Sequence, residues 1–422
     1  GIEKRANILH DIGNELIKQS KEIGTLLSRE EGKTLPEGIG EVIRSGQQFQ
    51  YYAASALRQF GENIASTREG VSVEMTREPV GVCGIISPWN FPIAIAAWKS
   101  APAMAFGNAV VLKPASQTPA SAIALTKIIS DQKDIPDGLF NLVLGGGGTI
   151  GQQISGHKDI NAISFTGSVG VGQTIYMEAA KSMKKMQLEM GSKNPLVVMD
   201  DADLDIAVAC ATNGAYGGTG QKCTASSRLI VHEKVYKEFI EKLIENLKGL
   251  KVGHALEEGS QMGPVSSETQ LHSNLDYIEI GKKEAKLAYG GNPMNMRTPG
   301  HYMEPTLFID GNNKTTINQE EMFGPIACVI PVKSYEEGLE VANDTIFGLS
   351  SGIITQSLSK AADFKKNIKT GVTTVNLPTA GLDYHVPFGG RKASSFGPRE
   401  QGTYAHEFFT HVKTTYVSPG KI

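Results

Sequence analysis

Cysteine is scarce in this chain: four in 422 residues, at positions 83, 210, 223 and 328. No two of them form a C-x-x-C pair, which excludes a disulfide framework and zinc-type spacing, so no metal site is expected. An excess of charge is lacking as well, with 41 Lys and Arg against 44 Asp and Glu and a formal net charge of −3. Nucleic acid and anionic membrane surfaces call for a concentrated basic patch, and neither is expected as a partner. Long apolar runs are missing too. The longest candidate, Ile93 to Val111, is interrupted by Lys99, Pro102, Gly107 and Asn108, well short of the roughly 20 residues that span a bilayer. There is no internal repeat and no low-complexity segment. The chain opens at Gly1 directly into a helical pattern, without an initiator Met or signal-peptide character. The expectation is a cytoplasmic protein whose full chain has residues upstream of this start.

What is present is ordinary globular composition, 40% hydrophobic and 20% charged. A chain of this length exceeds what one core usually organises, so two or more domains are expected. From Ile2 to about Gly61 the apolar spacing is helical, and Gly61 to Pro79 reads as extended. From Val80 onward short apolar runs alternate with helical patterns. The runs are Val82–Ile86, Ala109–Leu112, Leu139–Leu144 and Ala162–Phe165, then Pro195–Met199, Arg228–His232, Ile326–Val332, Leu349–Thr355 and Gly371–Asn376. That alternation predicts βαβ units, parallel sheets and an α/β fold in two series. Ligands of such sheets sit beyond the carboxyl ends of the strands, so the residues after each run matter most. The tail from Thr403 to Val417 alternates again and predicts a strand.

Two glycine-rich segments follow strands. Gly146-Gly147-Gly148-Thr149-Ile150-Gly151 satisfies G-x-G-x-x-G, but the next strand ends Phe165-Thr166-Gly167-Ser168 without the carboxylate that a ribose needs. A turn is its expected role. The second segment, Phe165 to Gly172, opens a helix expected over Thr174–Lys184. Its amides, with Gly167, Ser168 and Gly172, are candidates to hold a phosphate. Glycines serving only tight strand–helix packing would read the same way.

Four further segments lie far apart: Ser87-Pro88-Trp89-Asn90-Phe91-Pro92, Leu188-Glu189-Met190-Gly191, Gly220-Gln221-Lys222-Cys223 and Glu321-Met322-Phe323-Gly324-Pro325. Together with Phe165–Gly172 they closely resemble the aldehyde dehydrogenase superfamily, in the same order and over essentially the whole chain. The chemistry stands without the family. Oxidising an aldehyde by hydride transfer needs a tetrahedral adduct, which a thiolate supplies as a thiohemiacetal. Cys223 lies in the Gly/Ser/Thr-rich stretch Gly217 to Ser227, which suits an exposed turn, whereas Cys83, Cys210 and Cys328 read as packing. Asn90 and the Cys223 backbone N–H are candidate oxyanion donors. The thioester left after hydride transfer needs a base to activate water, and Glu189 matches the family residue for that role.

The resemblance implies further contacts: Lys113 and Ser116 at the adenosine ribose, Ser168 at the pyrophosphate, Glu321 at the nicotinamide ribose, and Phe323, Trp89 and Pro88 around the nicotinamide. Lys99 and Glu400 match positions linked to proton movement, with structural ion pairing as the alternative. Ser116 stands where NAD-preferring relatives usually carry Glu, so NADP or NAD is the expected cofactor, NADP being accepted. The stretch from Asn376 to Lys392, with Gly220 to Thr224, resembles the bacterial branch assigned to α-ketoglutaric semialdehyde (2,5-dioxopentanoate). Lys222 and Arg391 are candidate cations for a substrate carboxylate. Succinic semialdehyde or a broad aldehyde range is the nearer alternative; a cysteine hydrolase or a non-catalytic descendant is the remote one.

By the same resemblance the fold is a Rossmann-type cofactor domain (1–60 and 80–191) with an α/β catalytic domain (192–402). An oligomerisation β-element (61–79 and 403–422) completes it and implies a homodimer or homotetramer. The chain is also several dozen residues short of the family at its N-terminus.

Overall fold

The helical spacing near the N-terminus produces three helices, Ile2–Lys18, Ser20–Glu31 and Leu35–Ala56, in a computed structural model that describes residues 1–58 and 61–420. Residues 59–60 and 421–422, which close the first expected segment and the tail, lie outside the described residues. The third helix begins where its sequence dictates. Thr34 and Glu37 exchange the two bonds of a capping box, and a proline occupies the first turn. Its inner face, with Val42, Phe49 and Tyr52, packs with Leu9 and Ile12 of the first helix onto the helix Ala94–Ala105.

Short apolar runs buried on both faces become parallel strands. The first sheet has six, ordered Ser395–Phe396, Lys185–Glu189, Ala162–Thr166, Val82–Ile86, Ala109–Lys113 and Phe140–Leu142. All neighbours are parallel except Ser395–Phe396, which pairs antiparallel with Lys185–Glu189. The second sheet has seven, ordered Lys286–Tyr289, Thr306–Ile309, Ile326–Val332, Arg228–His232, Pro195–Val198, Ser350–Ile354 and Val372–Val375. Only its edge strand Lys286–Tyr289 runs antiparallel. A third, antiparallel sheet joins Gly61–Ala65, Ser72–Pro79 and Thr410–Val417, with the tail strand on its outer edge.

Three expectations need adjustment. The helix expected over Thr174–Lys184 occupies Val169–Ala180, so it opens directly after Ser168. The tail is not one strand from Thr403: His406–Phe409 first makes a helical turn that buries Phe408 and Phe409, and pairing starts at Thr410. Gly147–Gly151 forms a wide helical turn leading into the helix Gln152–Gly156.

Candidate active site

Four parallel strands of the first sheet end on the residues singled out by sequence. Val82–Ile86 runs into Ser87-Pro88-Trp89-Asn90, Ala109–Lys113 ends on Lys113, Ala162–Thr166 leads to Gly167 and Ser168, and Lys185–Glu189 ends on Glu189. This is the ligand-binding end of such a sheet. The second α/β unit faces it with two loops, one bearing Cys223 and the other Glu321 and Phe323. The two loops touch at Gly220, whose φ is +67° and where a Cβ would stand 2.2 Å from the Gly324 carbonyl oxygen. Only glycine satisfies both demands.

Cys223 and Asn90 share a cavity of about 220 Å³ with Gly167, Ser168, Glu321 and Phe323, which Pro88 and Trp89 also line. The Cys223 loop is tied down through its backbone. Asn194 Nδ2 donates to the Cys223 carbonyl at 2.8 Å, and Thr379 Oγ1 donates to the Thr224 carbonyl at 2.7 Å. Asn90 Nδ2 donates to the Gln221 carbonyl at 3.0 Å, so one amide hydrogen is tied to the loop that bears Cys223 and the other is left to bind. Burial pushes the Cys223 thiol up to about 12, helped by the nearby carboxyls of Glu321 and Glu189. The thiol therefore keeps its proton until a base takes it. The other three cysteines are buried.

Glu189 is buried beside the cavity. Burial, then the Glu400 carboxylate, hold it well above the usual range, while Ser395 Oγ donates to its Oε2 at 2.5 Å. Lys99 and Glu400 form a fully buried ion pair, and Lys99 Nζ also donates to Ser164 Oγ at 2.9 Å. Glu400 Oε2 has no hydrogen-bond partner among the described residues. Glu321 Oε1 accepts the Ser192 N–H at 2.7 Å, and burial lifts its carboxyl to about 7. Phe323 adopts a φ of +53°, uncommon for a bulky residue, and its ring meets Trp89 edge-on with centroids 5.4 Å apart. Gln270 Nε2 holds the Phe323 carbonyl at 3.1 Å.

Lys113 and Ser116 converge on one acceptor at the far side. Lys113 Nζ donates to the carbonyls of Pro114 (2.6 Å) and Gly145 (3.1 Å), and Ser116 Oγ reaches Gly145 at 3.4 Å. Gly172 sits in the first turn of the helix after Ser168, and no side chain caps that helix, so its first amides are open to a ligand. These residues suit a dinucleotide: an open helix start for the pyrophosphate, Lys113 and Ser116 at one end and Glu321 at the other.

The two substrate cations part company. Lys222 lines a second cavity, of about 260 Å³, which also takes in Asn90, Phe91 and Arg44; burial pushes its ammonium down to about 8. Arg391 is exposed and lines neither cavity. Its backbone N–H donates to the Gly348 carbonyl at 2.9 Å, and Lys392 follows at a φ of +54°. Sequence reasoning missed Ser395, Asn194, Gln270 and Arg44. Residues of those types are common in turns and on solvated helix faces, and no motif marks them.

A family model described as "Aldehyde dehydrogenase family" matches residues 1–415. The chain is 43% identical over 421 residues to the α-ketoglutaric semialdehyde dehydrogenase of Bacillus subtilis (strain 168), covering 99% of this chain and 86% of that one. It is 42% identical to the α-ketoglutarate semialdehyde dehydrogenase of Haloferax volcanii, covering 98% and 86%. Among solved structures, betaine aldehyde dehydrogenase from Staphylococcus aureus in complex with NAD+ superposes with a TM-score of 0.97 at 32% identity, over 100% of this chain and 84% of that one.

Proposed function

We propose, for a chain that belongs to the aldehyde dehydrogenase family and oxidises aldehydes with NAD(P), that its substrate is α-ketoglutaric semialdehyde. The mechanism starts with the Cys223 thiol giving up its proton to solvent water and attacking the aldehyde carbon, which gives a thiohemiacetal. The amide of Asn90 and the Cys223 N–H donate to the developing oxyanion. When bound, NAD(P) supplies the hydride acceptor. Glu321, Ser168, Lys113 and Ser116 are the residues to hold it, with Phe323, Trp89 and Pro88 as walls and Gly167 and Gly172 letting the backbone come close. Glu189 then takes a proton from water, which attacks the thioester and frees the acid. Lys99 and Glu400 are assigned to proton movement to and from Glu189, whose proton must finally pass to solvent. The observation that carries this reading is that Asn90, Cys223 and Glu321 line one cavity although they lie far apart in sequence.

The substrate rests on the names of the relatives at 43% and 42% identity, supported by cations beside Asn90. Lys222 and Arg44 line the second cavity together with Lys33, Glu31, Glu37 and Glu41; Lys222 Nζ donates to the Asn213 carbonyl at 2.9 Å, and no ion pair or hydrogen bond is seen for the Arg44 side chain among the described residues. A carboxylate at the far end of the substrate complements Arg44. Arg391 has no part in this reading. Ser116 leaves room and a hydroxyl for a 2′-phosphate, and NADP is the preferred cofactor on that ground. The three sheets support the division into a cofactor domain (1–60 and 80–191), a catalytic domain (192–402) and an oligomerisation element (61–79 and 403–422). The exposed outer edge of the tail strand suits pairing with a second copy in a dimer or tetramer. Four unpaired thiols suit the cytoplasm, and no helix among the described residues is long and apolar enough to cross a membrane.

Steady-state rates over a panel of aldehydes test the substrate. The expected result is a higher kcat/KM for α-ketoglutaric semialdehyde than for succinic semialdehyde or simple aliphatic aldehydes. Equal values refute it. For the cofactor, a kcat/KM at least about tenfold better with NAD refutes the NADP preference.

A further inference from the structure

The segment that carries Asn90 has no regular structure of its own. It links the strand Val82–Ile86 to the helix Ala94–Ala105. An oxyanion donor must nevertheless be fixed to a fraction of an ångström. Something outside the segment has to hold it.

Lys33, in the turn between the second and third helices, and Glu41, on the third, are the only groups of the N-terminal segment that do so among the described hydrogen bonds to residues 90–94. Lys33 Nζ donates to the Asn90 carbonyl at 2.6 Å and pairs with Glu41 Oε2 at 2.6 Å. The same ammonium lies 4.0 Å over the Phe91 ring. Glu41 Oε1 accepts the N–H groups of Ile93 and Ala94, each at 3.0 Å. One buried ion pair thus grips residues 90, 91, 93 and 94 in succession, with side chains only 5% and 1% exposed. A buried pair is a poor stabilising device, because well-packed apolar residues of the same volume usually serve as well. What apolar residues cannot do is hold a peptide carbonyl and two N–H groups in fixed positions. On the opposite side, the Asn90 side chain rests on the Gln221 carbonyl. Backbone and side chain are each anchored, and the anchors belong to different parts of the fold.

We propose that Lys33 and Glu41 are positioning residues for aldehyde oxidation, which set the Asn90 amide against the oxyanion by clamping residues 90–94. This rests on the reading of Asn90 as an oxyanion donor. Both also border the second cavity, and the role assigned to them is carried by their bonds to residues 90–94. Lys33 brings a cation to the Asn90 peptide, and Glu41 balances it while capping the next helix.

The test uses the whole chain in single-turnover experiments, with enzyme and NADP in excess over aldehyde and reduced cofactor followed by absorbance. The double variant Lys33→Met with Glu41→Gln removes both charges together and keeps an acceptor for Ile93 and Ala94, so its thermal unfolding midpoint should stay close to that of the parent. Its single-turnover rate constant should fall by about 10- to 100-fold, with NADP affinity unchanged. Placed on Asn90→Ala, the same pair should cost less than roughly twofold, because the group it positions is gone. Equal losses in both backgrounds overturn the proposal, as does an unchanged rate in the parent while Asn90→Ala is slow. If Asn90→Ala itself is not slow, the oxyanion reading fails first and the clamp falls with it. Should the double variant fail to fold, Glu41→Asp keeps the charges and withdraws the carboxylate from Ile93 and Ala94. It is read by the same cycle with the same outcomes.

Discussion

Gly191 offers a test of Glu321, whose atoms are the three nearest to a methyl added there. Its φ lies in the range that alanine adopts freely, so Gly191→Ala adds a methyl without backbone strain. That methyl would stand 2.3 Å from Glu321 Oε2, 2.9 Å from its Cδ and 3.2 Å from Oε1. The carboxylate must retreat by roughly 1 Å to reach ordinary contact. It is held where it is by the Ser192 N–H at 2.7 Å, a charge-assisted bond of about 1.5–3 kcal/mol. Moving off that anchor also moves the two oxygens off the ribose hydroxyls assigned to them. The expected loss is about 1.5–3 kcal/mol of cofactor binding, which is roughly a 10- to 100-fold rise in the Kd for NADP or NAD. Titration calorimetry or quenching of protein fluorescence measures it directly. The aldehyde KM should stay within about twofold, since uniform cofactor binding is what has been lost. Combined with Glu321→Gln, the alanine should add little, because both act on one carboxylate. A Kd within roughly threefold of the parent would refute the reasoning. Either Glu321 would then have room to move and still bind, or it would not be the group that holds the ribose.

Ser116→Glu should turn the cofactor preference towards NAD. A carboxylate about 5 Å from a 2′-phosphate in a solvated setting costs about 1–2 kcal/mol, or roughly tenfold in the ratio of kcat/KM values, and an unchanged ratio counts against Ser116 as the discriminating residue. Glu189→Gln should leave a single turnover of reduced cofactor intact and slow steady-state turnover by about 10²- to 10⁴-fold; loss of the single turnover as well would remove Glu189 from the hydrolysis step. The parent's hydrolysis step should also weaken on acidification before ordinary carboxylates titrate. Only the carboxylate form of Glu189 accepts a proton, and burial together with Glu400 lifts its titration well above the usual range; a kcat that stays flat on acidification down to the ordinary glutamate range contradicts this. With no ligand present, alkylation of Cys223 by iodoacetamide, followed by peptide mass spectrometry, should be slow at neutral pH and keep rising. Its thiol is held up to about 12, so a labelling rate that has levelled off by about pH 8 would refute that environment.

Strands were readable from sequence where apolar side chains fill both faces. Val82–Ile86, Arg228–His232 and Ile326–Val332 begin and end where the apolar runs do. Lys185–Glu189 was not readable, because its polar side chains are answered from far away. Lys185 Nζ bonds the carbonyls of Glu407 and Thr410, and Gln187 Nε2 bonds that of Pro398 at 3.1 Å. Gly170 and Gly172 depress helix propensity and moved the expected helix start to Thr174, yet the bare Gly172 lets the helix pack on Met190. The same division holds at the site. Asn90, Glu189, Cys223 and Glu321 sit in motifs whose order and spacing carry information. Lys33 and Glu41 look like ordinary charges near a helix start, and only their burial against residues 90–94 reveals a task. Arg391, adjacent to a distinctive glycine pair, drew attention that its exposed position does not reward.

The antiparallel strand Ser395–Phe396 has a consequence for the ribosome. Most of the first sheet is encoded before residue 190, but its last edge is closed by residues about 200 positions later. Ser395 pairs with Glu189, Glu400 meets Lys99, Tyr52 Oη donates to the Gly402 carbonyl at 3.1 Å, and Asn108 Nδ2 donates to the Phe409 carbonyl at 2.9 Å. At about 5–20 residues per second, the nascent chain waits roughly 10–40 s between releasing Glu189 and releasing its partner. Throughout that interval the sheet edge is open and Lys99 lacks its counter-ion. Translation that stops short of Ser395 would therefore leave a fragment with an open sheet edge rather than a slow enzyme, and activity would appear only when the codons for residues 395–409 have been read.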